Sequence, residues 1–329
     1  MLALELLLLL VATVNADVHD TPGVNASHLR QAGSGVNEFN PLDFFLSYEE
    51  TNEWMVALVK QYPHICKMES VGKSYEGRAI NAITINYDKP TKVILVANLK
   101  AREWTAMTSA IYIIHELVIE ASVYPEAGQF RWMIIPIPNP DGYEHTRLKE
   151  RLWRKTRSPQ ANTGIGVDLS HNFGYMWDLL LVPGDENPKA ETYRGPNAFS
   201  EPESQAIGNV LKSNADATLY VDMQTYGEHI LIPWAYTNEP APNAALARAV
   251  AKAGSDAIFR EFYQYGTPAE LINKEAGSSM DYCNSIGIKV CITLELTAAG
   301  YEIPTDDIVP YGKEALASIQ AMAIEAQRN

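Results

Sequence analysis

The strongest constraint on the fold of this chain is a set of four short apolar runs: Val93-Ile94-Leu95-Val96, Met133-Ile134-Ile135-Pro136-Ile137, Leu219-Tyr220-Val221 and Val290-Cys291-Ile292-Thr293-Leu294. Runs this short, apolar on consecutive residues and rich in β-branched side chains, read as strands buried on both faces, as in a largely parallel sheet. Helix signals lie between them. Ser47-Tyr48-Glu49-Glu50 is a capping-box pattern ahead of Trp54, Met55, Ala57, Leu58 and Val59, and Pro63 closes that segment. Ser200-Glu201-Pro202-Glu203 has the same form ahead of Ala206, Ile207, Val210 and Leu211, with Pro202 in the first turn, where a missing N–H costs nothing. This alternation predicts one α/β domain over 39–329, with helices on both faces of the sheet and no internal repeat or linker.

The rest of the chain bounds where such a domain works. Of 329 residues, 47% are hydrophobic and 20% charged, enough for a full core. Residues 1–16 hold an apolar run and end in Val14-Asn15-Ala16, which reads as a signal peptide cleaved before Asp17. Residues 17–38 are polar and Gly-rich and read as a flexible leader, with a glycosylation sequon at Asn25-Ala26-Ser27. No stretch reaches the ~20 apolar residues of a membrane helix. The expected product is secreted, extracellular and soluble. A formal net charge of −14 argues against nucleic-acid or anionic-membrane partners, which need clustered Lys and Arg. Cys66, Cys283 and Cys291 allow at most one disulfide within the chain, and their ordinary reading is as three small buried apolar residues.

In open α/β sheets ligands gather beyond the carboxyl ends of the strands. The polar residues there are Lys100, Arg102 and Glu103 after the first run, Asp222 and Gln224 around the third, and Glu295 after the last. Strand ends are also simply where polar residues surface, so the convergence alone does not define a site.

Five segments, in order, narrow the reading: Gly72-Lys73-Ser74-Tyr75-Glu76-Gly77-Arg78, Ala101-Arg102-Glu103-Trp104, Asn139-Pro140-Asp141-Gly142-Tyr143, Arg151-Leu152-Trp153-Arg154-Lys155-Thr156-Arg157, and Gly195-Pro196-Asn197-Ala198-Phe199-Ser200-Glu201-Pro202-Glu203. The chain resembles the pancreatic-type zinc metallocarboxypeptidases, similar to carboxypeptidases A and B, from about Phe39 to near its C-terminus. The resemblance implies a single α/β domain with a mixed, mostly parallel twisted sheet between helices. It also implies one catalytic zinc, held by a His-x-x-Glu pair and a distant His, with a fourth position for water. Here the pair reads Lys100-Ala101-Arg102-Glu103, and Gln224 stands at the distant position, so Glu103 alone remains as a metal ligand. An ammonium has no lone pair and repels a cation, and Gln224 offers only a neutral carbonyl oxygen. If four ligands supply roughly 10–16 kcal/mol, losing two removes on the order of 5–8 kcal/mol, about four to six decades of affinity.

The same comparison assigns the remaining positions. Glu295 matches the general base, Arg154 the oxyanion-stabilising arginine, and Asp168 the carboxylate behind the first His. Arg102 and Tyr226 match substrate-binding positions, and Met280 the pocket for the terminal side chain. The Asn-Arg pair that grips the substrate's terminal carboxylate reads Ser170-His171, and the mobile active-site Tyr aligns with Asn273. The two cysteines of a common family disulfide are missing near Gly164 and Lys189. The digestive branch carries a folded pro-domain where this chain offers a short leader. Each retained residue also has a structural reading: a buried ion pair for Glu103, Arg102 and Glu295, and packing for Met280 and Tyr226.

Three functions follow. The first is a non-catalytic homologue binding peptide or protein in the remnant cleft, with no cofactor. The second is an active zinc-dependent carboxypeptidase A-like exopeptidase with an altered ligand set that recruits Asp222, His229 or His171. The third is a storage or matrix protein. The first carries a geometric expectation: without zinc, Glu103, Glu295 and Asp168 would repel one another, so Lys100 Nζ should lie within about 4 Å of at least one of them.

Overall fold

The computed structural model describes residues 40–260, 262–296 and 300–328, so the signal peptide, leader and sequon expected from the sequence lie outside the described residues. The first helix, α1 (Tyr48–Gln61), starts as its sequence dictates. Ser47 Oγ accepts from the Glu50 N–H at 3.1 Å, and Glu50 Oε2 accepts from the Ser47 N–H at 2.8 Å. The chain then runs β1 (Cys66–Lys73), β2 (Ala79–Ile85), β3 (Lys92–Ala97), α2 (Trp104–Val118), β4 (Arg131–Ile135), α3 (Pro140–Leu148), α4 (Pro202–Ser213) and β5 (Leu219–Thr225). It closes with β6 (His229–Leu231), α5 (Ala244–Asp256), β7 (Gln264–Gly266), α6 (Pro268–Leu271), α7 (Ser279–Ser285), β8 (Cys291–Leu296) and α8 (Ile308–Arg328).

The strands form one sheet in the order β1-β2-β4-β3-β5-β8-β6-β7. Pairings β3–β4, β3–β5, β5–β8 and β6–β7 are parallel, and β1–β2, β2–β4 and β6–β8 antiparallel, so the sheet is mixed and mostly parallel. Alternation along β3 divides the core. Val93, Leu95 and Ala97 face one apolar layer with residues of α1, α2, α5 and α8, while Ile94 and Val96 face another with Ile207, Val210 and Leu211 of α4. Each such side chain, buried on a central strand, contributes roughly 1.5–3 kcal/mol. On β5 the second face carries Tyr220, Asp222 and Gln224, so apolar pattern gives way to polar side chains just where that strand ends.

Three expectations are corrected here. The strand read at 133–137 spans Arg131–Ile135 instead, because Pro136 has no N–H to donate to a ladder. Pro202 takes the first helical position of α4, which makes Glu201 its N-cap, and Ser200 does not cap the helix. The Glu201 carboxylate instead accepts from the hydroxyls of Thr156 at 2.7 Å and Ser158 at 2.5 Å. Cys283 and Cys291 form a disulfide that ties α7 to β8, their Cα atoms 6.1 Å apart, leaving Cys66 as a buried thiol. Spacing alone could not pick that pair out of three cysteines.

Glu203, in the first turn of α4, is fully buried. Its Oε1 accepts from the Tyr75 N–H at 3.0 Å, and its Oε2 has no hydrogen-bond partner. Burial pushes this carboxyl up to about 8, the Tyr75 N–H opposing and Glu201 and Asp141 adding to the shift. A raised folded-state pKa means stability that is complete below the ordinary value of 4.5 and is lost as pH rises through about 8. Glu203→Gln keeps an oxygen for Tyr75 and removes the titration. The variant should therefore lose less stability than the parent between pH 5 and pH 8 in thermal melts, with parallel curves excluding this account.

Candidate active site

The loop after β3 is held by one buried side chain. Asn98 adopts a left-handed backbone (φ 58°), a conformation Asn tolerates better than most residues. Its Nδ2 donates toward the carbonyls of Lys100, Ala101 and Glu103 at 3.3, 3.1 and 3.1 Å. This sets Lys100 and Glu103 side by side just before α2. Neighbouring strands bring the rest: Gln224 on β5 pairs in register with Glu295 on β8, which in turn faces His229 on β6.

At the centre, Lys100 Nζ lies 3.5 Å from Glu103 Oε1 and donates to Gln224 Oε1. Gln224 Nε2 donates to Asp222 Oδ2 at 2.8 Å, and Ser279 Oγ, from the first turn of α7, donates to the same oxygen at 2.9 Å. A continuous row thus runs Lys100–Gln224–Asp222–Ser279. The Glu103 carboxylate, 1% exposed, has no hydrogen bond to either oxygen, so the Lys100 ammonium is the charge it faces. Burial pushes Glu103 up to about 7, with Lys100 and Arg154 opposing. Burial likewise lifts Asp222 to about 6 against the hydrogen bonds from Gln224 and Ser279. For Lys100, burial and Arg154 work against the charged form, but Glu103, Glu295 and Asp168 outweigh them and hold the ammonium above its ordinary value.

Beside this row stands a second charged group. Arg154 Nε and Nη2 donate to Asp168 Oδ2 at 2.8 and 2.6 Å, and the Ser170 N–H and Oγ donate to Oδ1 at 3.1 and 2.8 Å. Burial would raise Asp168, yet Arg154, His171 and Lys100 hold it well below the usual carboxylate range. Asp168, expected behind residue 100, therefore accepts its hydrogen bonds from Arg154 and Ser170. His171 is buried, with Nδ1 3.2 Å from the Ala276 carbonyl and Nε2 3.6 Å from Asp168.

The other expected site residues separate. The Arg102 guanidinium stacks 4.4 Å over the Tyr301 ring and donates to Glu191 at 3.1 Å, while Tyr226, 51% exposed, meets Tyr301 edge-on at 5.0 Å. Glu295 Oε2 sits 2.8 Å from His229 Nδ1. Met280 is fully buried in the second apolar layer, and Asn273 is exposed. Sequence reasoning missed Ser279, Tyr301 and Glu191. Only the first left a signal: Ser278-Ser279-Met280-Asp281 has the form of a helix start, and Ser278 Oγ does accept from the Asp281 N–H at 3.1 Å.

The donor chemistry here does not suit a divalent metal. Of the two side chains standing where histidine ligands were expected, one is an ammonium and the other an amide whose oxygen that ammonium occupies. Asp222 Oδ2, His229 and His171 are each engaged elsewhere; Asp222 Oδ1 has no hydrogen-bond partner, but among the described residues no group of three or more His, Cys, Asp or Glu is placed to hold a metal ion.

The zinc carboxypeptidase family pattern matches residues 51–318, and the chain belongs to that family. It is 30% identical over 292 residues to a zinc carboxypeptidase of Simulium vittatum, covering 85% of this chain and 95% of that protein. It is also 30% identical over 290 residues to carboxypeptidase B of Astacus astacus, covering 84% and 95%. The fold superposes on the crystal structure of carboxypeptidase A from Helicoverpa armigera with a TM-score of 0.83 at 28% identity, over 92% of this chain and 78% of that one. No helix among the described residues is long and apolar enough to cross a membrane.

Proposed function

We propose that this chain is a secreted, non-catalytic member of the family that binds peptide or protein segments in the cleft where its relatives carry zinc. The observation that carries this reading is the Lys100 ammonium, seated between Glu103 and Gln224 and protonated by its surroundings. It fills the place of a cation without offering a lone pair, so no water is activated beside Glu295. Two further features support it. Ser170 and His171 present no two-pronged donor for a terminal carboxylate, and Met280 is packed into the core. Arg102, Tyr301 and Tyr226 remain as a cation–aromatic surface at the rim, suited to peptide backbone and side chains.

Metal analysis of the purified chain after dialysis is the direct test. Far less than one zinc per chain is expected, and one tightly held zinc would overturn the reading. A peptide-library pull-down comparing the parent with Tyr226→Ala tests the binding half. Enrichment that depends on Tyr226 is expected, and no enrichment at all would leave the fold in use as bulk material.

A further inference from the structure

Past the end of α4 at Ser213, the sheet face that this helix covers continues, and cationic side chains join the apolar ones. Lys67, Thr84, Met133 and Ile94 form one row across four adjacent strands, in register as Lys67↔Thr84, Thr84↔Met133 and Ile94↔Met133. Directly paired residues project to the same face, and Ile94 packs with α4, which fixes the face. Lys92 and Arg131 pair across β3 and β4 two residues nearer the strand starts, on that same side. With Tyr87 and Asn214 they enclose a cavity of about 250 Å³. It sits at the start of β3, a six-residue strand, so it is separated from Lys100 by roughly 20 Å of strand.

Three cations meet in this cavity, on a chain of formal net charge −14. Lys92 Nζ is held by Asp216 at 2.7 Å, and Lys67 Nζ lies 6.0 Å from the Tyr87 ring centroid. Behind the wall two polar groups on lining residues are sealed from solvent and lack any hydrogen-bond partner: Thr84 Oγ1, on a residue 2% exposed, and Arg131 Nε. The single carboxylate in the lining is Glu69.

We propose that this cavity binds the tetrahedral oxyanion of a phosphate or sulfate ester. The cations come from three strands, Lys67 on β1, Lys92 on β3 and Arg131 on β4, and so approach from different sides. An ester oxyanion offers three oxygens pointing apart, whereas a carboxylate offers two along one edge. The volume leaves room for part of the esterified group, with Tyr87 at the rim. Glu69 and the charge of the whole chain repel a second anionic group, which restricts the ligand to one ester rather than a polyanion.

Calorimetric titration of the full chain at matched ionic strength, with glucose 6-phosphate, glucose 6-sulfate and sodium acetate, tests this. One saturable site is expected for at least one ester, tighter than about 10 mM, and the two ester arms decide which source chemistry is preferred. Lys67→Glu, on an exposed side chain that the fold does not need, and Arg131→Gln should each weaken it at least tenfold. No saturable heat with either ester, an equal response to acetate, or binding that survives both substitutions would overturn the proposal.

Discussion

Lys100→Met should destabilise the chain by about 3–5 kcal/mol, the cost of stranding a buried charge when its partner is removed. Met fills much the same volume but leaves Glu103, with both oxygens already lacking hydrogen bonds, facing Asp222 and Glu295 with only Arg154, itself bound to Asp168, as a nearby cation. The substitution also frees the Gln224 oxygen that Lys100 occupies. Urea denaturation of the single variant, of Glu103→Gln and of the double variant separates the two contributions. Most of the loss should return in Lys100→Met/Glu103→Gln, since the pair is then removed together. Equal losses in the single and double variants would mean that Lys100 acts by packing its stem and not by its charge.

The converse substitution should recover a metal but not an enzyme. Lys100→His with Gln224→His places two imidazoles beside Glu103, and zinc binding of about micromolar affinity or better is expected by competition with a chromogenic chelator. Hydrolysis of a C-terminal residue asks for more. The terminal carboxylate must be anchored so that the scissile carbonyl meets the metal, and a misplacement of about 1 Å can cost on the order of 100-fold. Ser170 is committed to Asp168, His171 lies against the Ala276 carbonyl, and Asn273 is on the surface. The double variant should bind zinc and cleave carboxypeptidase substrates poorly, and adding Ser170→Asn with His171→Arg should raise turnover at least tenfold. Should the double variant alone match an active relative, the anchoring residues have been misassigned and only the metal ligands matter.

Most of the architecture could be read from local pattern because the strands are central and buried on both faces. Val93 to Val96 has one reading at that length and composition, and the capping box at Ser47 states a helix start outright. The edges were less legible. Pro136 and Pro202 each shift a boundary by removing a donor, and the pairing of Cys283 with Cys291 depends on where α7 meets β8. Within the site, Lys100 was expected within 4 Å of a carboxylate and is found 3.5 Å from Glu103. The identity of its hydrogen-bond acceptor was not legible, because Gln224 is 124 residues from Lys100 in the chain and the two meet only where β5 lies beside β3. Nor could sequence distinguish Met280 lining a pocket from Met280 filling the core, since both ask for an apolar side chain.

The amide of Gln224 locks positions 100 and 224 to each other. Lys100 can only donate and an ionised Asp222 can only accept, so the amide between them has one orientation, oxygen toward the amine and nitrogen toward the carboxylate. A histidine at position 224 alone would set an imidazole against an ammonium, and a histidine at position 100 alone would strip Glu103 of its cation while the amide still blocked a metal. Either step by itself breaks a buried polar row before the other can benefit from it. The two positions are therefore coupled: a two-histidine site at 100 and 224 is reached without loss of stability only when both side chains change together.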